Sequence, residues 1–278
     1  MRIDVRRIAF GIGVVIVVGM ALVALLAPWI TPQDPFVQNL DARMIPPIWV
    51  DGGTVAHWLG SDQLGRDYLS RLIYGARISM LIGTLVVICS GVIGITLGVV
   101  GGFFGGRVDA VVMFIITCRL SIPLILVALT VVSFVGSSLA VVVFTLGLLL
   151  WERFAVVART TTMQVRTLDY ISAAWAAGCS LPYILVREVL PNIVHHLIVV
   201  ATLEMALAIL LEAALSFLGL GVPPPLPSWG LMIAEAKDYM YFSPWVIMVP
   251  GVALFVLVLG INLLGDGLRD RLGAARDA

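Results

Sequence analysis

Charge is scarce in this chain. Of its 278 residues only 12% are Asp, Glu, Lys or Arg, 60% are hydrophobic, and the mean hydropathy is +1.07. A water-soluble globule holds an apolar share nearer ~45–50%, so that class is excluded and an all-α, polytopic membrane protein is expected. Cysteine is scarce too. Cys89, Cys118 and Cys179 are far apart and two lie inside apolar runs, which excludes a disulfide framework and a thiolate metal motif. No GxxxxGKS/T phosphate loop, HExxH zinc pair or GxSxG nucleophile turn occurs. No catalytic residue is therefore assigned, and no cofactor, metal or nucleic-acid partner is expected of this chain. His195 and His196 are adjacent, and side chains about 100° apart on a helix make a poor chelate.

What is present is a series of apolar stretches. Ile8 to Ile30 has the ~20 residues needed to cross a bilayer, and Arg2, Arg6 and Arg7 before it place the N-terminus in the cytoplasm. A signal peptide is the competing reading; the run is longer than a signal core, and Ala27-Pro28-Trp29 offers no small-x-small cleavage site. Residues 1–30 are read as the N-terminus and first span. Residues 31–76, rich in Pro, Asp and Gly, form a loop on the far side, and 77–278 form the core with five more spans. These are Ile78–Val100, Val108–Val135, Leu139–Val157, Ile193 to Leu218 and Trp245 to Leu264. Ser90, Gly94, Gly98 and Gly102 form a ridge of small residues that a neighbouring helix can approach closely. Gly221 to Pro244 is a second outer loop, with Gln38 and Ser228 expected on the outer surface. Eleven of the seventeen basic residues, Arg269, Arg271 and Arg276 of the tail among them, fall on the cytoplasmic side of this arrangement, which agrees with six spans and both ends inside.

Between the fourth and fifth spans, residues 158–192 form a cytoplasmic loop. Its stretch Asp169 to Asn192 holds Arg187, Glu188, Pro182 and Pro191, which a helix buried in lipid would not accept without partners. Asp169 is expected to cap a short helix whose Ser172, Ala173, Ala174, Ala176 and Ala177 are all small. Gly178 stands where a left-handed residue ends a helix, Ser180 and Pro182 restart a second one, and Pro191-Asn192 is expected to stop it. This layout resembles the EAA loop, through which membrane subunits of ABC importers dock on their ATPases, with Ser172 where the name-giving Glu would stand. Asp169, Tyr170, Ser172, Ala173, Ala174, Gly178, Leu190 and Pro191 are the coupling residues that the resemblance implies.

Two further blocks carry the same likeness. His57 to Ser79 contains Gly60, Asp62, Leu64, Gly65, Arg66, Asp67, Ser70, Arg71, Gly75, Ala76 and Arg77, and Glu212 to Gly230 reads EAALSFLGLGVPPPLPSWG. Asp62 and Asp67 with Arg66 and Arg71 suit an interfacial helix pinned by charge pairs. Together the blocks resemble the second, C-type permease of the dipeptide/oligopeptide family of ABC importers, which also serves nickel chelates, opines and glutathione. The resemblance implies the type I importer fold in the cell inner membrane. It also implies a heterodimer with a paralogous permease, two ATPase subunits carrying ATP and Mg, and an extracytoplasmic substrate-binding protein. A stand-alone channel or secondary transporter would need its own gating charges or broken helices near the midplane.

Arg119, Glu204 and Glu212 lie inside spans, where a charge must face protein or water. Arg119 and Glu204 each sit eleven positions from the cytoplasmic ends of their expected helices. That is about 16 Å deep, near the midplane, so the two have reason to pair. The alternative leaves Glu204 protonated or in a wet cavity and turns Arg119 toward the partner permease.

Overall fold

The computed structural model describes residues 5–274, so Arg2 and Arg276 of the charge count lie outside the described residues. Among the described residues the regular structure is helical, with one isolated antiparallel bridge between Ser61 and Asp67, and residues 31–67 are mostly turns and irregular chain. Five helices among the described residues are long and apolar enough to cross a membrane, and a sixth is added if a bent pair counts as one span.

Helix α1 (Val5–Ile30) packs along the last helix, α11 (Trp245–Ala274). Gly260 and Gly267 of α11 leave room there for Ile16 and Phe10, and the Arg271 guanidinium lies 3.9 Å from the centre of the Phe10 ring. Helix α2 (Tyr68–Phe104) starts ten residues earlier than the expected second span. Asp67 caps it, its carboxylate accepting from the Ser70 N–H at 2.8 Å. The expected boundary at residue 76 thus falls inside a 37-residue helix, about 55 Å long against a hydrocarbon core of ~30 Å.

The expected single third span is corrected to two half-helices. Helix α3 (Gly106–Leu120) and α4 (Leu124–Val135) meet at 80°. Pro123 supplies the cause, since it has no N–H for the helical ladder and pushes Ile122 out of the α region. After the turn at Gly136, Ser138 caps α5 (Leu139–Leu149), which continues past a break at Leu150-Trp151 into α6 (Glu152–Val165).

The small-residue ridge of α2 faces α6. Cβ atoms placed on Gly94, Gly98 and Gly102 would run into the carbonyls of Trp151, Ala155 and Arg159 respectively. The three carbonyls are spaced by four residues, as the glycines are, so two helix backbones lie in contact along two turns. No side chain fits between them.

Helix α7 (Asp169–Ala176) follows, then α8 (Leu181–Tyr183), a π turn over Ile184–Val189, and α9 (Leu190–Phe217). From Leu181 to Phe217 these run as one helix of 37 residues, so Pro191-Asn192 does not stop the chain. The N–H of Leu190 bonds to the carbonyl of Leu185, and this widened turn accommodates the proline ring that a regular ladder would exclude. Residues 221–244 include a short helix, α10 (Trp229–Ala236). Its Trp229 donates from the indole to the Leu72 carbonyl at 2.9 Å and from its backbone N–H to Ser79 Oγ at 3.1 Å, which seats α10 against α2.

Candidate functional site

Helix α7 sits at the end of α2 remote from the 31–67 loop. Leu168, not Asp169, occupies its cap, so Asp169 is the first helical residue; its charge still favours the positive end of the helix. Ile171 alone is buried, packing with Ile184, Val189 and Ile193. Asp169, Tyr170, Ser172 and Ala173 are exposed, and Ala174 is half-buried. Trp175 is 49% exposed, with its ring centroid 6.5 Å from that of Phe103 near the end of α2. Partial burial, with Glu188 adding to it, holds the Tyr170 hydroxyl above its ordinary range.

The helix ends in a Schellman turn: Cys179 N–H donates to the Ala174 carbonyl at 3.1 Å and Gly178 N–H to Trp175 at 3.0 Å, with Gly178 at φ +80°. Arg166 ties the loop to α2 by donating to the Phe103 carbonyl at 2.9 Å. Leu190 is half-buried and Pro191 exposed, both on the same long helix. The outcome is an exposed short helix of mostly small side chains, seated by Ile171 on the cluster of the π turn and the start of α9, with the half-exposed Trp175 ring approaching Phe103 of α2.

The charges of the 57–71 block pair locally as expected, Asp62 with Arg66 and Arg71, and Asp67 caps α2. They are buried. Arg66 Nε meets Asp62 at 2.6 Å, Arg71 Nε meets the same carboxylate at 3.2 Å, and Arg71 Nη2 reaches Glu235 of α10 at 2.8 Å. His57 Nδ1 lies 2.9 Å from Asp67. Glu235 gives no sequence signal of this role, because it comes from a helix 164 residues further on. The network joins the 31–67 loop and the start of α2 to α10 of the 221–244 segment. Glu212, near the C-terminal end of α9, does similar work: its Oε1 accepts from Ser216 and Ser228 at 2.8 Å each. Ser228 is fully buried by this contact, not on the outer surface as expected.

Arg119 and Glu204 do not pair. Arg119 donates to the Leu149 carbonyl, at the end of α5, and lies 3.8 Å from Glu152. Glu204 faces Arg153 at 3.3 Å. The depth argument fails because the third span breaks beside Arg119, and because Glu152 and Arg153 enter the membrane-spanning stretch Leu139–Val165. Glu152 carries the same signal as Glu204, a carboxylate within an apolar segment, and the sequence reading passed it over.

The residues 94–276 match the family described as binding-protein-dependent transport system inner membrane component, and 6–47 match the N-terminal membrane domain of oligopeptide transport permease C. The chain belongs to this family. It is 39% identical to a dipeptide transport system permease of Haemophilus influenzae over 94% of this chain and 88% of that one. It is 43% identical to a di/tripeptide transport system permease of Pseudomonas aeruginosa over 90% of this chain and 82% of that one. Its fold is similar to that of a chain in the inward-facing MetNI methionine ABC transporter, with a TM-score of 0.60 and 20% identity over 74% of this chain and 95% of that chain. The protein is a multi-pass membrane permease with the type I importer fold.

Proposed function

We propose that the chain is one of two paralogous permeases of an ATP-driven importer for di- or oligopeptides, with α7 as the helix that enters a groove on a partner ATPase. The observation that carries this reading is the exposed face of small side chains on α7, seated through Ile171 on the π turn and the start of α9, with Trp175 approaching α2. Small side chains let a partner surface come close, and these contacts pass a displacement of α7 into α2 and α9. ATP and Mg belong to the ATPase subunits, and closure of the nucleotide-binding pair would tilt the spans to open the path outward. The outer loops 31–67 and 221–244 would meet a substrate-binding protein, and both termini would lie in the cytoplasm, as the Arg distribution supports. Peptide cargo follows the relatives; nickel chelates, opines and glutathione are the alternatives.

Reconstitution tests it. Vesicles holding this chain, its partner permease, the ATPases and the binding protein should take up a labelled dipeptide only with ATP. Uptake by this chain alone would overturn the reading. The ligand held by the co-purifying binding protein fixes the cargo.

A further inference from the structure

Glu204 and Arg153 make contact inside the membrane-spanning region, and their depths agree. Arg153 belongs to the spanning stretch Leu139–Val165 and Glu204 to the stretch Leu181–Phe217, and the 3.3 Å contact itself sets the two charged groups at one level. Glu204 is 1% exposed and neither of its oxygens accepts a hydrogen bond; the 3.3 Å ion pair with Arg153 is its direct contact with a cation. Arg119, the other guanidinium nearby, is occupied by the Leu149 carbonyl and Glu152. Arg153 differs. Its side chain is 57% exposed, with Nη1 turned to Glu204 at 3.3 Å.

A guanidinium exposed within a spanning stretch faces water or protein, not lipid tails. Beside it lies a cavity of about 280 Å³ whose apolar walls include Leu120, Val156, Val200 and Leu203. A planar guanidinium held at one end by a buried carboxylate, on a side chain more than half exposed, is suited to bind a second carboxylate through two parallel hydrogen bonds.

We propose that Arg153 is a carboxylate-binding position on the translocation path, and that Glu204 is the positioning residue that holds it. Arg153 takes the carboxylate end of a passing solute while the cavity takes an apolar side chain. The assignment rests on the transport reading above, and it connects to α7. Val200, one turn before Glu204, belongs to the same apolar cluster as Ile171, Val189, Ile193 and Leu197.

The test uses the assembled complex in membranes, with the three native cysteines of this chain replaced by alanine and Leu203→Cys introduced on the cavity wall. Sulfonatoethyl methanethiosulfonate, an anion, should modify this chain about tenfold faster than the cationic aminoethyl reagent, because the Arg153 side chain beside the apolar cavity is 57% exposed while its partner Glu204 is 1% exposed, so an approaching reagent meets the positive charge. The preference should vanish in the Arg153→Gln/Glu204→Gln double variant, which leaves no buried charge unpaired. Glu204→Gln alone should weaken it and Glu204→Asp restore part of it. No reaction with either reagent, or a preference unchanged in the double variant, overturns the proposal. In the transport assay, Arg153→Lys should raise KM for a dipeptide more than it lowers kcat. The double variant should narrow the preference for the free acid over its C-terminal amide; an unchanged preference counts against Arg153. Should the intact complex take up neither compound, the peptide reading fails while the thiol preference still decides the role of Arg153.

Discussion

The N–H of Leu190 bonds to the carbonyl of Leu185, five residues back, and Pro191 follows at once. A π turn is one residue more than an α turn, so deleting exposed Val186 would close the ladder and keep buried Ile184 and Val189 on the face that packs with Ile193. Pro191 would then meet the carbonyl four residues before it, at a cost of ~3 kcal/mol. Deletion of Val186 should therefore lower the thermal midpoint sharply, and adding Pro191→Ala should recover most of the loss. Equal midpoints for the single and double variants would show that the proline is not what the wide turn serves.

Gly98 should tolerate no side chain. A Cβ there would stand 2.7 Å from Ala158 Cβ and 2.9 Å from the Arg159 nitrogen, and backbone cannot give way as a side-chain tip can. Gly98→Val is expected to cost about 3 kcal/mol or more, at the upper end of overpacking, and to abolish the folded fraction in detergent. Gly91→Ala is the control, because its Cβ would touch the Phe154 ring at an ordinary 3.7 Å. Comparable yields from both variants would deny that α2 and α6 meet backbone to backbone.

These two sites differ in how far the sequence discloses them. The four-residue spacing of Gly94, Gly98 and Gly102 is a local pattern, and it correctly announces a close helix contact, though not that α6 makes it. The π turn leaves no pattern: Pro191 reads as a stop, and only the continuity of buried contacts from Ile184 to Leu197 keeps the helix intact. Short exposed features on α7 are legible because Gly178 and the small residues act locally. Charge partners are not. Arg119, Glu152, Arg153 and Glu204 come from three segments whose relative heights depend on the breaks at Pro123 and at Leu150-Trp151, and depth counted along ideal helices misassigned them. Glu235 is hidden in the same way, since its partners Arg66 and Arg71 come from a distant loop and helix start.

The outer surface gives a topology test. Gln38 is exposed, Phe242 is 89% exposed, and Ser228 is buried against Glu212. In a chain without native cysteines, Gln38→Cys and Phe242→Cys should react with a membrane-impermeant thiol reagent in intact cells. Ser228→Cys should stay unmodified until the protein is unfolded. Protection of the first two until the cells are broken would invert the orientation.

Coupling through α7 should depend on the backbone of Gly178 before its bulk. No atom lies within 4 Å of a Cβ built at this position, yet φ is +80°, a region that side chains rarely adopt. The left-handed conformation costs about 1–2 kcal/mol for most residues and less for Asn, whose side chain bonds locally. Gly178→Val should thus undo the Schellman turn, shift the start of the long helix relative to α7, and leave the permease in the membrane with ATP hydrolysis no longer tied to uptake. Gly178→Asn should keep most of the coupling despite a side chain of similar size. Ala174→Trp, half-buried near Ile171 and Cys179, should impair coupling by bulk alone. The readout is dipeptide taken up per ATP hydrolysed in vesicles containing the full complex. If valine and asparagine at position 178 lower that ratio equally, crowding against a partner surface is responsible, not the turn.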